Sequence, residues 1–527
     1  MTNRLFIRHG LFLVFILLLC VSALPGPDAN AQQGEIAITI GTTDFPRSID
    51  PASAFDYPSW ELMAHLYTGL TRQIPGTLTY ELALAADHYV SEDGLLHTFT
   101  IRPDARFSDG TPITAATFVE SINRVITLGR DPADFVNRYI AAVTEADGNS
   151  VQFTLHIPLP DFEALIALPP FYPQHPDIFP PGDLLDSTNT ATIIGNGAYR
   201  LEGFQPGQQA VLVPDPSFDG LSPLNNRIII RHYELPIDLR RAILGHEIDV
   251  AWRALAPPDL DAIQAAPQIT IRQQPNLQVF YLLFNHEQTT LNNAQSFDDP
   301  AVREAFAQLI DRERVAERGF DGTVAPLYSL LPPQFGLGAV SYPSYDVQQA
   351  DAVLTEAGYR PLRRPVQASL YISTDTYGDL MNDAAQELRR SIEASEIASI
   401  TFIQNDLTAT FTRVIYRGEY FNAIIGWRPP FASPAGYLIP LAHSTARIPA
   451  AAGYSSDEID ALLEAAALAD DNATREGFYE EVQRLLLEDY ALVPLWQGQD
   501  MIAFWNDITG VELEYNSWLH YETLARQ

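Results

Sequence analysis

Three short apolar stretches decide the fold: Ser369-Leu370-Tyr371-Ile372, Ser399-Ile400-Thr401-Phe402-Ile403 and Phe421-Asn422-Ala423-Ile424-Ile425-Gly426-Trp427. Each has the length and the β-branched and aromatic content of a strand, and segments of helical period at about 378–394 and 407–417 separate them. In the second segment Leu407, Phe411, Val414 and Ile415 fall at i, i+4, i+7 and i+8, which predicts one buried helical face. Strands alternating with helices pair in parallel, and the helices cover the sheet. Ligands of such sheets bind beyond the carboxyl ends of the strands, which is where Trp427 and Arg428 stand. The plainer alternative is that Trp427 packs against a helix and Arg428 is solvated.

Working outward, 35–41 alternates as a strand, and a turn at 46–51 leads into an apolar helix around 60–67. Phe99 and Ile101 alternate with polar neighbours, as do Val151, Phe153, Leu155 and Ile157, so both stretches read as half-buried strands with a helix at about 115–126 between them. A proline-dense segment, 158–181, edges a subdomain, and Ile228-Ile229-Ile230 reads as a buried central strand. Asp299-Pro300 opens a helix expected to run to Gly319, Asp346 opens one that Gly358 closes, and Ser455 with Glu458 forms a capping box.

The chain has 527 residues, 46% of them hydrophobic, enough for about three domains or for two lobes with one split by an insertion. Lys+Arg is 32 against 66 for Asp+Glu, and a net charge of −34 repels the phosphate backbone of nucleic acid. No lysine occurs, which excludes a Walker A loop, a Schiff-base lysine and an S-x-x-K nucleophile. His246-Glu247 and His286-Glu287 are followed at i+4 by Val250 and Thr290, so neither is a zinc H-E-x-x-H motif. No G-x-S-x-G elbow and no G-x-G-x-x-G after a strand is present. Residues 1–31 read as a secretory signal: Arg4 and Arg8, an apolar run from Leu11 to Leu24, and Ala29-Asn30-Ala31 with cleavage expected before Gln32. A retained anchor is the alternative. Cleavage removes Cys20, the one cysteine, and with it any disulfide, thiolate metal site or cysteine nucleophile.

Glu81 to Asp87, Ser91-Glu92-Asp93-Gly94, Phe99 to Arg102 and Phe107-Ser108-Asp109-Gly110-Thr111-Pro112 together resemble the signature region of the family 5 extracellular solute-binding proteins. Further pieces follow in order: Ile49-Asp50-Pro51 and Leu66-Tyr67-Thr68-Gly69-Leu70 before it, then Gly195-Asn196-Gly197-Ala198-Tyr199-Arg200, Phe284-Asn285, Gly418 to Trp427 and Val493-Pro494-Leu495 after it. The resemblance implies an α/β, two-lobed periplasmic binding protein fold, hinged and type II-like, with a small domain inserted in the first lobe. It places the first lobe at 35–81, 190–281 and 497–527, the inserted domain at 82–189 and the second lobe at 282–496.

It also implies an exported, non-catalytic receptor, at the periplasm or cell surface, that traps a small ligand between its lobes and delivers it to an ABC permease. A monomer without cofactor or metal is expected, with an oligopeptide as the leading ligand. By motif position the ligand-binding candidates are Tyr57, Asn285, His286, Gly426, Trp427 and Arg428, with core packing the alternative for Tyr57 and Trp427 and a hinge hydrogen bond for Asn285. Peptide receptors of the family carry an aspartate two or three residues beyond the Gly-Trp pair to hold the peptide ammonium; here Pro430 stands in that place. Arg428 nearby would favour a carboxylate, a phosphate or a polyol, or would point to solvent. An oligosaccharide, metal chelate or acidic metabolite therefore stays open as ligand, as do a secreted hydrolase and a sensing receptor as other classes.

Overall fold

The computed structural model describes residues 36–186, 193–253, 255, 257–286, 297–405, 407–469 and 471–527. The signal segment lies outside them. The three deciding stretches are strands Val366–Ile372, Ala398–Gln404 and Asn422–Trp427, and the first pairs in parallel with each of the other two. Helices Leu380–Ile392 and Thr408–Tyr416 join them, as β-α-β crossovers require. Phe411, Val414 and Ile415 are buried, but Leu407 is 67% exposed. It is the residue at the helix N-cap, where the backbone is still extended, so its side chain leaves the helical face it was expected to share.

Among the described residues one mixed sheet of eleven strands runs through both halves of the molecule. Its middle is two long antiparallel strands, Ile269–Phe284 and Leu492–Trp505, which pair along nearly their whole lengths. A register break falls between Pro275 and Val279, with another between Phe280 and Tyr281. Beyond it, Val279–Phe284 pairs with Asn422–Trp427. Before it, Leu492–Trp505 pairs with Val250–Trp252, which lies beside Ala37–Thr42, and that strand in turn lies beside Arg227–His232, all three parallel to one another. Apolar packing divides in the same way: one core runs from Val279 to Trp496, a second takes residues up to Trp252 and from Ile502 onward together with Phe431, and a smaller third gathers Leu239, Ile243, Ile248, Ile263 and Ala503. Each lobe buries its own hydrophobic surface, which is what lets the two exist as separate bodies.

Ala85–Val90, Leu96–Ile101, Ser150–Leu155 and Ile140–Ala146 form a second, antiparallel sheet. It packs on helix Ala115–Leu128, whose Thr114 and Thr117 cap it reciprocally, and on Asp131–Tyr139. Strand Ser150–Leu155 ends before Ile157, which is 54% exposed, contrary to the alternation expected. Ile228 and Ile230 are buried but Ile229 is not fully so, as a strand with one covered face requires.

The expected helix from Pro300 to Gly319 is two, Pro300–Leu309 and Arg312–Arg318, because Ile310 turns extended and Asp311 caps the second by accepting from Arg314 N–H. The cap near 455 is Ser456, which accepts from Ile459 N–H; Ser455 lies one residue outside, and Glu458 falls in the first turn.

Gly195-Asn196-Gly197 closes the end of helix Tyr57–Leu66. Asn196 and Gly197 donate backbone N–H groups to the Leu66 carbonyl, and the Asn196 amide exchanges two hydrogen bonds with the Thr68 backbone. A Cβ on Gly197 would lie 2.5 Å from the His65 carbonyl oxygen, so the approach requires glycine.

Candidate ligand-binding cleft

Tyr57 opens helix Tyr57–Leu66; Asp56 caps it by accepting from Ser59 N–H at 2.9 Å, and Pro58 sets the first turn. From the other lobe, Trp427 ends its strand and Arg428 continues past it, over the Tyr57 ring, with Cζ 4.1 Å from the ring centroid. Arg428 Nη2 donates to Ser517 Oγ at 2.6 Å; Ser517 Oγ donates to Asp500, whose other oxygen accepts from Asn276 Nδ2 at 2.9 Å. Ser517 sits at φ 65°, and its carbonyl accepts from Arg253, which also binds Glu61. Arg428 is thus half-buried and held across the lobe boundary, close to the register break at Asn276.

Trp427 Nε1 donates to the Gly436 carbonyl at 2.9 Å, which fixes the indole in the cleft wall. A Cβ on Gly426 would come within 2.8 Å of the Tyr377 and Gln278 side chains, so the position is filled by glycine. Pro430 and Phe431 reach the first lobe: Phe431 is 4% exposed, belongs to the first-lobe core and meets Tyr139 edge-on at 5.8 Å. Two residues on, Ser433 donates to Asp161, whose burial raises its carboxyl above the usual range.

Two chambers flank this contact. An outer one of about 1050 Å³ is lined by Asp56, Asp131, Trp427, Arg428 and Arg447, among others. An inner one of about 330 Å³ lies against Tyr80, Glu514 and Trp518. Tyr57, Trp60, Pro430 and Phe431 border both. Below the inner chamber, His65 Nδ1 is 2.8 Å from Glu522, and His520 bonds Glu514 and faces Glu522. Burial alone would lower His520, but the two carboxylates outweigh it and push the imidazole up to about 10. Its charge therefore stabilises the fold fully below the ordinary value of 6.5, and that contribution is lost as pH rises through about 10. Urea midpoints are expected to fall between pH 7 and 10, and to fall less in His520→Gln; an identical decline in both would remove His520 as the cause.

The structure brings Tyr57, Gly426, Trp427 and Arg428 together and leaves Asn285 and His286 apart. Val279 pairs with Trp427 but Phe284 pairs with Asn422, so Asn285 stands roughly 17–20 Å along the strand from the cleft. There its side-chain amide donates to the Gly418 and Tyr420 carbonyls at 2.9 and 2.8 Å. His286 donates its backbone N–H to Ala452 and packs its ring against Tyr454, and burial, with Arg303 nearby, lowers its imidazole to about 4. Asn285→Ala is expected to cost about 1–3 kcal/mol of stability by stranding two buried carbonyls, and to leave ligand affinity unchanged in the folded protein; denaturation and calorimetry on the same sample test both halves. Ser517, Asp500 and Trp518 were not legible beforehand. They lie at or after the last long strand, in a segment with no periodicity to mark a face.

Two lobes, each with its own core, joined by paired strands and facing each other across a chambered cleft, define a solute receptor of the two-lobed type. Residues 79–448 match the model of the bacterial extracellular solute-binding proteins, family 5, and the chain belongs to that family. It is 26% identical over 510 residues to the probable D,D-dipeptide-binding periplasmic protein of Escherichia coli K12, covering 94% of this chain and 95% of the relative. It is 23% identical to the periplasmic oligopeptide-binding protein of Salmonella typhimurium, over 85% of each chain. Among solved structures it is similar to the unliganded open form of a periplasmic murein tripeptide binding protein, with TM-score 0.80, 20% identity, and 94% and 98% of the chains covered. A dipeptide binding protein from Pseudoalteromonas sp. SM9913 in complex with Met-Leu gives TM-score 0.69 at 20% identity, covering 93% and 100%.

Proposed function

We propose that this protein is an exported, non-catalytic receptor that binds a short peptide between its lobes and presents it to an ABC permease. The observation that carries the reading is the meeting of Arg428 and Tyr57, from different lobes, at the wall of a chamber of about 1050 Å³. A ligand there touches both lobes, which is what a closing receptor requires. Relatives named for dipeptides and oligopeptides support the peptide class. The lobes are proposed at 35–81, 190–281 and 497–527, and at 282–496, with 82–189 inserted; bending is proposed at the register breaks near 275–281 and their partners at 494–499.

In the chamber wall Pro430 offers no carboxylate to a peptide ammonium; the carboxylates lining the outer chamber are Asp56, Asp131 and Asp134. Native mass spectrometry of the purified protein, followed by denaturation and sequencing of what is released, tests the reading. A mixture of intact short peptides is expected. A single sugar, chelate or acidic metabolite would move the substrate class, and cleaved fragments of an added peptide would overturn the non-catalytic role.

A further inference from the structure

The inner chamber differs in chemistry from the outer one. Its walls include five aromatic rings contributed by distant parts of the chain: Tyr57 and Trp60 on one helix, Tyr80 on the short hairpin, Phe431 from the second lobe and Trp518 near the C-terminus. Its charged neighbours are occupied with one another. Glu522 accepts from His65 and faces His520, and Glu514 accepts from His520 and from Gln73 Nε2 at 2.8 Å. An entering ammonium would have to compete with His65, His520 and Gln73 for the carboxylates, and an entering carboxylate would have to displace Glu81 from Arg72 or Glu514 and Glu522 from His520.

Two polar groups of the chamber lining remain unmatched among the described residues: Trp518 Nε1 and the Tyr67 hydroxyl, both donors that gain by meeting a neutral oxygen. The space fits such a group. A dry cavity of about 150 Å³ already admits benzene, and this chamber is about 330 Å³.

We propose that the inner chamber is a subsite for an uncharged, ring-bearing group of the ligand that also carries a hydrogen-bond acceptor, reached from the outer chamber past Tyr57 and Phe431. The assignment deepens the peptide reading by naming the residue class preferred, and it stands or falls on its own test. Benzamide, a ring with a neutral carbonyl, isolates the chamber from any peptide backbone. Saturation-transfer NMR with the full mature protein is expected to show benzamide bound, and the signal is expected to vanish in Ala64→Phe, where the helix side of the chamber is filled. Absence of transfer to the unmutated protein, or equal transfer to Ala64→Phe, would overturn the subsite.

Should Ala64→Phe not fold, Leu221→Asp places a carboxylate at the exposed rim of the same chamber and is read by the same criterion. A second arm compares Gly-Phe-Gly with Gly-Glu-Gly and Gly-Lys-Gly by calorimetry. The phenyl group is expected to bind about ten- to hundredfold more tightly. Benzamide bound but no tripeptide bound would refute the peptide reading and leave the subsite standing. Tripeptides bound without preference, and no benzamide, would do the reverse.

Discussion

Arg124→Ala is expected to destabilise the protein by about 3–5 kcal/mol, the cost of leaving a buried charge without its partner. Arg124 is 6% exposed and Asp50 2% exposed, and the guanidinium grips the carboxylate with two bonds of 2.8 Å. The remaining donors go to the Pro180 and Asp183 carbonyls and to Gln174 Oε1, while Asp50 also accepts from Ala52 and Leu185 N–H groups. Asp50 lies in the turn before helix Tyr57–Leu66, and Arg124 lies on the helix covering the four-stranded antiparallel sheet, so the pair fastens that helix to the turn. Equilibrium urea unfolding measures the loss. A midpoint shift worth under about 1 kcal/mol would show that water replaces the guanidinium at Asp50 and that the pair is not sealed. Removing both partners is expected to cost less than removing Arg124 alone, because no uncompensated charge then remains.

For ligand binding the largest expected effect is at Arg428. Its stacking on Tyr57 and its charged bond to Ser517 hold one wall of the cleft against the other. Their loss in Arg428→Ala is expected to weaken ligand affinity about ten- to hundredfold. Arg428→Lys is expected to recover little, since an ammonium lacks the planar face that lies over the ring. Titration calorimetry with a co-purified ligand is the measurement. Affinity within twofold of the unmutated protein would reduce Arg428 to a lobe-to-lobe strut with no bearing on the ligand.

Much of this architecture is written locally. Ser369–Trp427 alternates strand and helix with enough apolar character that pairing and handedness follow, and Thr408–Tyr416 buries the face its spacing calls for. Leu407 escaped because periodicity continues through a cap while the backbone does not. In the cleft, Tyr57, Trp427 and Arg428 were legible because each sits at the end of an element. Asn285 and His286 are near the proposed lobe crossing in sequence but not in space: a strand carries the chain about 3.3 Å per residue, and five residues past Val279 already lead out of the cleft. The partners of Arg428 were out of reach for another reason. Ser517 lies 89 residues away in a loop, and its left-handed backbone leaves no mark in a serine.

The paired long strands carry a consequence for recombination between receptors. The larger core draws its described residues from Val279 to Trp496, yet its two ends are neighbours, with Phe280 opposite Trp496 in the antiparallel ladder, a separation of about 5 Å. A chimaera that exchanges this half of the molecule for that of a relative needs two splices in adjacent, hydrogen-bonded backbone and leaves the first-lobe core with one foreign side chain to accommodate, at the position of Phe431.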